Sequence, residues 1–227
     1  MQNKKISVIV RAKNEEKWLQ TCLFAVSHQD YSEFEIILVN NESTDRTPEI
    51  ALKYGCKIVT ISEQDFNFSR ALNWGIQASS GDLIAIISGH CIPSHEQWLA
   101  RMAMHFKKEK VAAVYGRQEP LPDTSASDKR DLWITFGLDR KIQKKDYFFH
   151  NANSMIRRNT WEKIPFSEQI HGVEDQDWAN KVLQRGNLIV YEPTASVYHH
   201  HGIHHNQNEE RATRVVQMIE LIQKDLT

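Results

Sequence analysis

The chain has 227 residues, 41% hydrophobic and 25% charged, the balance of a soluble globular protein rather than a disordered or membrane-spanning one. A formal net charge of −1, with no outstanding block of Lys or Arg, argues against nucleic acid as a partner. Three widely spaced cysteines (Cys22, Cys56, Cys91) without a C-x-x-C pair fit a reducing compartment and no disulfide framework.

In chain order, Lys4 and Lys5 ahead of Ile6–Val10 imitate a signal peptide, but Arg11, Lys13, Glu15 and Glu16 cut the apolar run short. The run therefore reads as a first strand of a cytoplasmic protein. Phe34–Val39, Lys57–Ile61, Leu83–Ile87 and Val111–Tyr115 continue the series of short, β-branched runs. Between them, Glu15–Ser27 spaces Trp18, Leu19, Cys22, Leu23 and Val26 as one helix face. Thr47–Tyr54 opens with Pro48 after the turn Ser43-Thr44-Asp45, and Phe68–Ala78 carries Ala71, Leu72 and Ile76. Strands alternating with helices predict a parallel sheet covered on both faces.

The pattern changes after Gly116. The polar stretch Glu119–Asp128 predicts a long loop, followed by a helix over Lys129–Lys141 and a strand at Ser154–Arg157. A helix over Glu174–Arg185 comes next, then two short strands, Leu188–Tyr191 and Ser196–Tyr198. An amphipathic helix over 208–226 ends the series. With no repeat and no linker, the expectation is one domain, 1–227, in two halves, 1–117 and 118–227.

Ligands of open α/β sheets bind at the carboxyl ends of strands. Three turns fall there: Arg11–Glu16, Asn40–Asp45 and Ser88-Gly89-His90. The first two are rich in groups that can read a base or a ribose, although Asn14 and Asp45 are equally good helix caps. Arg70 can lie over a pyrophosphate or join a packing salt bridge. Glu174-Asp175-Gln176-Asp177 sets carboxylates at a helix N-terminus, either for general-base work or for the helix dipole. His199 and His201 share one side of an extended segment, a metal-ligand spacing, within a cluster that also holds His200, His204 and His205.

The order of Ile6–Leu19, Val39–Asp45, Arg70–Ile76 and Glu174–Asp177 resembles the family 2 glycosyltransferases with a GT-A fold, over roughly residues 5–205. That resemblance implies a Rossmann-like, mostly parallel sheet flanked by helices, with a nucleotide-sugar-binding half (1–117) and a smaller acceptor half (118–227). It implies inverting transfer of a sugar from a nucleotide-sugar donor to a glycan or lipid-linked acceptor, in cell-surface polysaccharide synthesis. Carried over, the donor is held by Arg11, Asn14, Glu15, Asn41, Ser43, Asp45 and Arg70, with Ser88 and Gly89 in the third turn. Asp175 is the base and Glu174 its neighbour. The family usually has an Asp-x-Asp metal motif in the turn where this chain has Ser88-Gly89-His90. The expected ligands of a divalent metal, Mn or similar, are therefore His90, His199 and His201, since imidazole suits such ions better than Mg. The metal-free alternative is Arg70 with protonated histidines.

On the acceptor side, Asn151 and Asn153 can bond sugar hydroxyls or serve turn chemistry. Trp133 and Trp161 offer stacking faces, and Trp178 fits the core. Peripheral membrane association and a homo-oligomer are both compatible with the sequence. Two rival readings stay open. A sugar nucleotidyltransferase would need a Gly-rich loop after the first strand, where Arg11–Glu16 has no glycine. A non-catalytic nucleotide- or glycan-binding module would explain the missing Asp-x-Asp.

Overall fold

The computed structural model describes residues 4–170, 172–202 and 209–224, without the side chains of 211, 212, 214 and 224. His204, His205 and the ends of the helix expected over 208–226 lie outside them.

The parallel block is β1 (Ile6–Ala12), β2 (Phe34–Asn40), β3 (Lys57–Thr60) and β4 (Leu83–Ser88), in the order β3-β2-β1-β4. Helices α1 (Glu16–Ser27), α2 (Thr47–Lys53) and α3 (Phe68–Gln77) make the crossovers. Alternation along β1 sorts its side chains between two cores. Val8 and Val10 join Leu19, Cys22 and Leu23 of α1 on one face. Ile9 joins Leu72 and Ile76 of α3 on the other. Asn67 caps α3, accepting from the backbone N–H groups of Ser69 and Arg70 at 2.8 and 3.3 Å. Gly75 lets that helix lie against the sheet: a Cβ there would sit 2.6 Å from Val39 Cγ2 and 2.8 Å from Ile9 Cγ2.

The second half extends the same sheet. β5 (Cys91–Pro93), α4 (Trp98–Ala103) and a 3-10 turn (Met104–Lys107) lead into β6 (Val111–Pro120). There follow α5 (Ala126–Thr135), β7 (Lys141–Gln143), β8 (Asn153–Arg157), α6 (Arg158–Lys163), α7 (Glu174–Gln184), β9 (Leu188–His199) and α8 (Glu209–Lys224). Among the described residues the sheet has nine strands, continuing from β4 as β8-β6-β9-β5, with β7 also on β9. β8 is antiparallel to both β4 and β6, while β9 runs parallel to β6. β5 and β7 are antiparallel to β9. The sheet is therefore mostly parallel, with β5, β7 and β8 reversed.

Several expected boundaries move. The loop expected over Glu119–Asp128 is shorter, because β6 runs on to Pro120 and α5 already starts at Ala126. The Ser125 hydroxyl accepts from Asp128 N at 3.2 Å and fixes that start. The helix expected over Lys129–Lys141 ends at Thr135, just ahead of Gly137, and residues 141–143 become strand. The two short strands at 188–191 and 196–198 are one strand, β9. Its register against β6 shifts between Gly116 and Gln118, where a β-bulge absorbs the polar 192–196 stretch. A Cβ on Gly116 would fall on Ala195 O, so only glycine fits. All three cysteines are buried free thiols. No described helix is long and apolar enough to cross a membrane.

Candidate active site at the carboxyl ends of the strands

The turns after β1 and β2 are clasped together. Asn14 takes a left-handed backbone (φ 55°), a conformation that Asn tolerates. Its N–H donates to Ser43 Oγ at 2.9 Å, and its Oδ1 accepts from Thr44 N at 2.8 Å. Asp45 accepts from Glu16 N and Thr47 N, both at 2.9 Å, so one carboxylate serves the first turns of α1 and α2. Burial works against that carboxylate's charge, but these hydrogen bonds outweigh it and hold its pKa below the usual range. Glu15 N donates to Thr47 Oγ1 at 2.7 Å. Asn14, Ser43 and Asp45 thus all spend hydrogen bonds on shaping the turns. Asn41 is buried, with its side-chain Oδ1 lacking a hydrogen-bond partner.

Arg11 is the unusual cation. Its side chain is 16% exposed, and Nη1 lies 3.7 Å from Glu174 Oε1. The guanidinium sits 5.0 Å over the Phe68 ring, yet Nε and Nη1 are buried without a hydrogen-bond partner. Buried donors left without a hydrogen bond cost about 1–3 kcal/mol each, so the Arg11 guanidinium is under-satisfied within the fold. Arg70, expected with Arg11 to hold the donor, instead donates to Glu168 Oε2 at 2.9 Å and to Asp65 O at 2.8 Å. That is the packing salt bridge left open by the sequence. Asn73 is a packing residue, its Oδ1 accepting from Trp161 Nε1 at 2.9 Å and its Nδ2 donating to Phe166 O at 2.9 Å.

Glu174 and Asp175 begin α7 opposite Arg11. Glu174 is buried and Asp175 half-buried. Asp175 accepts from Asn151 N at 3.2 Å and Gln176 N at 2.9 Å. Its pKa is pushed up to about 7, by burial first and then by the Glu174 charge. Asn151 lies beside this carboxylate, its Nδ2 buried without a partner. Asn153 is fully buried and structural: it accepts from Trp98 Nε1 at 2.8 Å and donates to the carbonyls of Arg117 and Ala195. Trp178 and Trp161 are core residues, whereas Trp133 is 58% exposed.

The three histidines converge. Ligand atoms of His90, His199 and His201 lie within 4.8 Å of one another. β5 pairs Cys91 with His199, which brings His90 alongside; the two rings stack at 5.1 Å with 6° between planes. Each Nδ1 has an acceptor: Glu15 Oε1 for His90 at 2.5 Å, Gln118 Oε1 for His199 at 2.7 Å, Gly202 O for His201 at 2.8 Å. Donation from Nδ1 puts the lone pair of all three on Nε2, the form that ligates a metal, and a carboxylate or carbonyl behind the ring is the usual support. These donors fit a divalent cation of the Mn or Zn type once drawn in to bonds of about 2.0–2.2 Å. Gln118, missed by the sequence reading, is fully buried and joins the two centres. Its Nε2 contacts His150 Nδ1 at 3.1 Å, next in chain to the Asn151 that holds Asp175. Ser88 and Gly89 fix the turn itself, with Gly89 N donating to Arg11 O at 2.8 Å and a Cβ on Gly89 placed 3.1 Å from Ala12 Cβ.

A family model described as Glycosyl transferase family 2 matches residues 7–164. Glycosyltransferase AglE of Haloferax volcanii is 30% identical over 196 residues, 82% of this chain and 64% of that protein. O-antigen chain rhamnosyltransferase WbaN of Salmonella anatum is 28% identical over 188 residues, 78% of this chain and 60% of that protein. The chain thus spans less than two thirds of the length of these curated relatives. Mannosyltransferase PcManGT from Pyrobaculum calidifontis, solved with GDP-Man and Mn2+, superposes with a TM-score of 0.70 at 19% identity, covering 87% of this chain and 57% of that one. S. aureus TarS in complex with UDP-GlcNAc gives 0.64 at 19% identity, covering 86% and 58%. The fold is GT-A, as the motif order implied.

Proposed function

The chain belongs to glycosyl transferase family 2, and on that footing we propose that it is an inverting glycosyltransferase. It moves a sugar from a nucleotide-sugar donor to a glycan or lipid-linked acceptor in cell-surface polysaccharide synthesis. The observation that carries this reading is Arg11: two buried guanidinium nitrogens without a hydrogen bond, beside Glu174 at the strand ends where a donor phosphate would lie. The curated relatives and the donors bound by the neighbouring structures support the same class of reaction.

In the proposed step, Asp175 takes the proton from the acceptor hydroxyl as that oxygen attacks the anomeric carbon from the face opposite the diphosphate. The new C–O bond forms while the bond to the phosphate oxygen breaks, and the nucleoside diphosphate leaves with its charge. A base raised toward neutral pH is well matched to that proton. Glu174 keeps the guanidinium of Arg11 in place, and Arg11 turns its spare N–H groups to the departing phosphates. A divalent cation held by His90, His199 and His201 would neutralise charge on the same leaving group. Asn41 lines the base-binding side, and the halves 1–117 and 118–227 supply donor and acceptor contacts respectively.

Thermal denaturation tests the donor site. A nucleoside diphosphate with Mn2+ should raise the melting temperature more than the monophosphate, because binding to the folded state alone adds stability. Arg11→Ala should erase that difference. Equal protection by both nucleotides in the wild type would place the diphosphate elsewhere.

A further inference from the structure

Helix α5 is apolar on two sides. Leu132 and Phe136 point inward, into the core that holds Tyr115, Tyr191 and Trp178. Trp133 and Ile134 point outward at 58% and 68% exposure, followed by Leu138 at 73% and Ile142 at 54%. Large apolar side chains this exposed, gathered in ten residues of chain, mark an interaction surface rather than scatter. The segment is held firmly: Tyr191 Oη donates to Gly137 O at 2.6 Å, and β7 pairs with β9.

Charge identifies the partner. Arg130, Lys141, Lys144 and Lys145 each lie within three positions of one of these residues in the chain and are exposed. Arg140 is held by Glu192. Even with Asp131, Asp139 and Asp146 in the same stretch, residues 129–146 are net positive in a chain of net charge −1. Exposed Trp and branched aliphatics flanked in the chain by exposed Lys and Arg fit the interface of a bilayer with anionic headgroups. We propose that the α5–β7 segment docks this protein on an anionic lipid surface through Trp133, Ile134, Leu138 and Ile142, with Arg130, Lys141, Lys144 and Lys145 facing the headgroups.

The surface adjoins the acceptor side of the site. Thr124, just ahead of α5, donates through Oγ1 to His200 O at 3.1 Å, and the Phe136 ring lies 6.2 Å from that of His150. Docking here would present the strand ends to substrates borne by the bilayer. The inference deepens the proposed function by making the acceptor lipid-linked, but vesicle binding needs neither donor nor acceptor, so its failure would leave the transfer reading standing.

Co-sedimentation with vesicles of phosphatidylcholine, alone or mixed with phosphatidylglycerol, provides the test. Binding should require the anionic lipid and fall with added salt. Each lysine near such a surface contributes about fivefold in partition, so K141Q/K144Q/K145Q should lose roughly 100-fold. Ile134→Ser with Leu138→Ser should lose a comparable factor. Protection by a nucleoside diphosphate should remain unchanged in both variants, which also reports that they fold. Absent sedimentation, equal sedimentation with both lipid mixtures, or wild-type binding by the lysine variant would overturn the proposal. A dimer in light scattering that Ile134→Ser/Leu138→Ser dissociates would assign the surface to a second copy instead, and overturn it too.

Discussion

Replacing Asp175 by Asn separates what one carboxylate does for chemistry from what it costs the fold. Burial and the Glu174 charge raise its pKa from 3.8 to about 7, against the pull of two backbone N–H groups and Arg11. A carboxyl raised in this way stays protonated in the fold after the unfolded chain has ionised. Stability is therefore full below about pH 4, declines as pH rises to about 7, and is level above that. At 1.36 kcal/mol per unit, the shift sets a ceiling of about 4 kcal/mol. The side chain is only half-buried, and solvent screening brings the expected loss nearer to about 2 kcal/mol. Asn cannot ionise, so it removes that slope. It also turns an amide N–H toward one of the two backbone donors, a pH-independent cost of about 1 kcal/mol. Urea unfolding should thus find the Asn variant less stable at about pH 4 and more stable at about pH 8, by about 1 kcal/mol each way. Transfer, measured by release of nucleoside diphosphate with acceptor present, should fall by about 10²–10⁴-fold. Wild-type kcat/KM should climb about tenfold per pH unit up to about 7, then level off. Parallel stability curves across that range would refute the claim that the fold strains against this charge, and near-normal turnover would remove Asp175 from the reaction.

Glu15→Gln removes the negative charge behind His90 Nδ1 and should weaken Mn2+ binding by about 10–100-fold in calorimetry. His90→Ala and His199→Ala should each abolish most of that binding, with the double variant little worse than either; additive losses would mean two separate sites. Gly75→Ala drives a methyl group to 2.6 Å from Val39 Cγ2 and 2.8 Å from Ile9 Cγ2, which should cost about 1–3 kcal/mol in denaturant unfolding. Unchanged stability would show that α3 lifts from the sheet without penalty.

Local patterning made the first half legible. The unbroken β-branched run Ile6–Val10, helical spacing from Trp18 to Val26 and the Pro48 start of α2 all depend on near neighbours, so the strand–helix alternation appears in the sequence and again in the structure. The elements after β4 were harder to read because they are set by distant pairing. β8 enters antiparallel between β4 and β6. The three residues of β5 carry no strand pattern of their own and exist only because β9 lies beside them. The break expected between Tyr191 and Ser196 is a bulge inside one strand, imposed by β6.

The site divides in the same way. The family resemblance nominated Arg11 and Asp175, while His90 stood out in a strand-end turn and His199 and His201 by their spacing. Sequence alone could not tell whether Arg70 faces a ligand or joins a packing salt bridge, since that depends on which guanidinium finds carboxylate and carbonyl partners on folding. Glu168 and Asp65 take up Arg70, and Arg11 keeps two buried nitrogens without a hydrogen bond beside Glu174. Nor could it find Gln118, an ordinary strand residue that orients His199 across 81 positions of chain. A histidine's available nitrogen is decided by what stands behind the ring, and tertiary packing alone brings Glu15, Gln118 and Gly202 to those places.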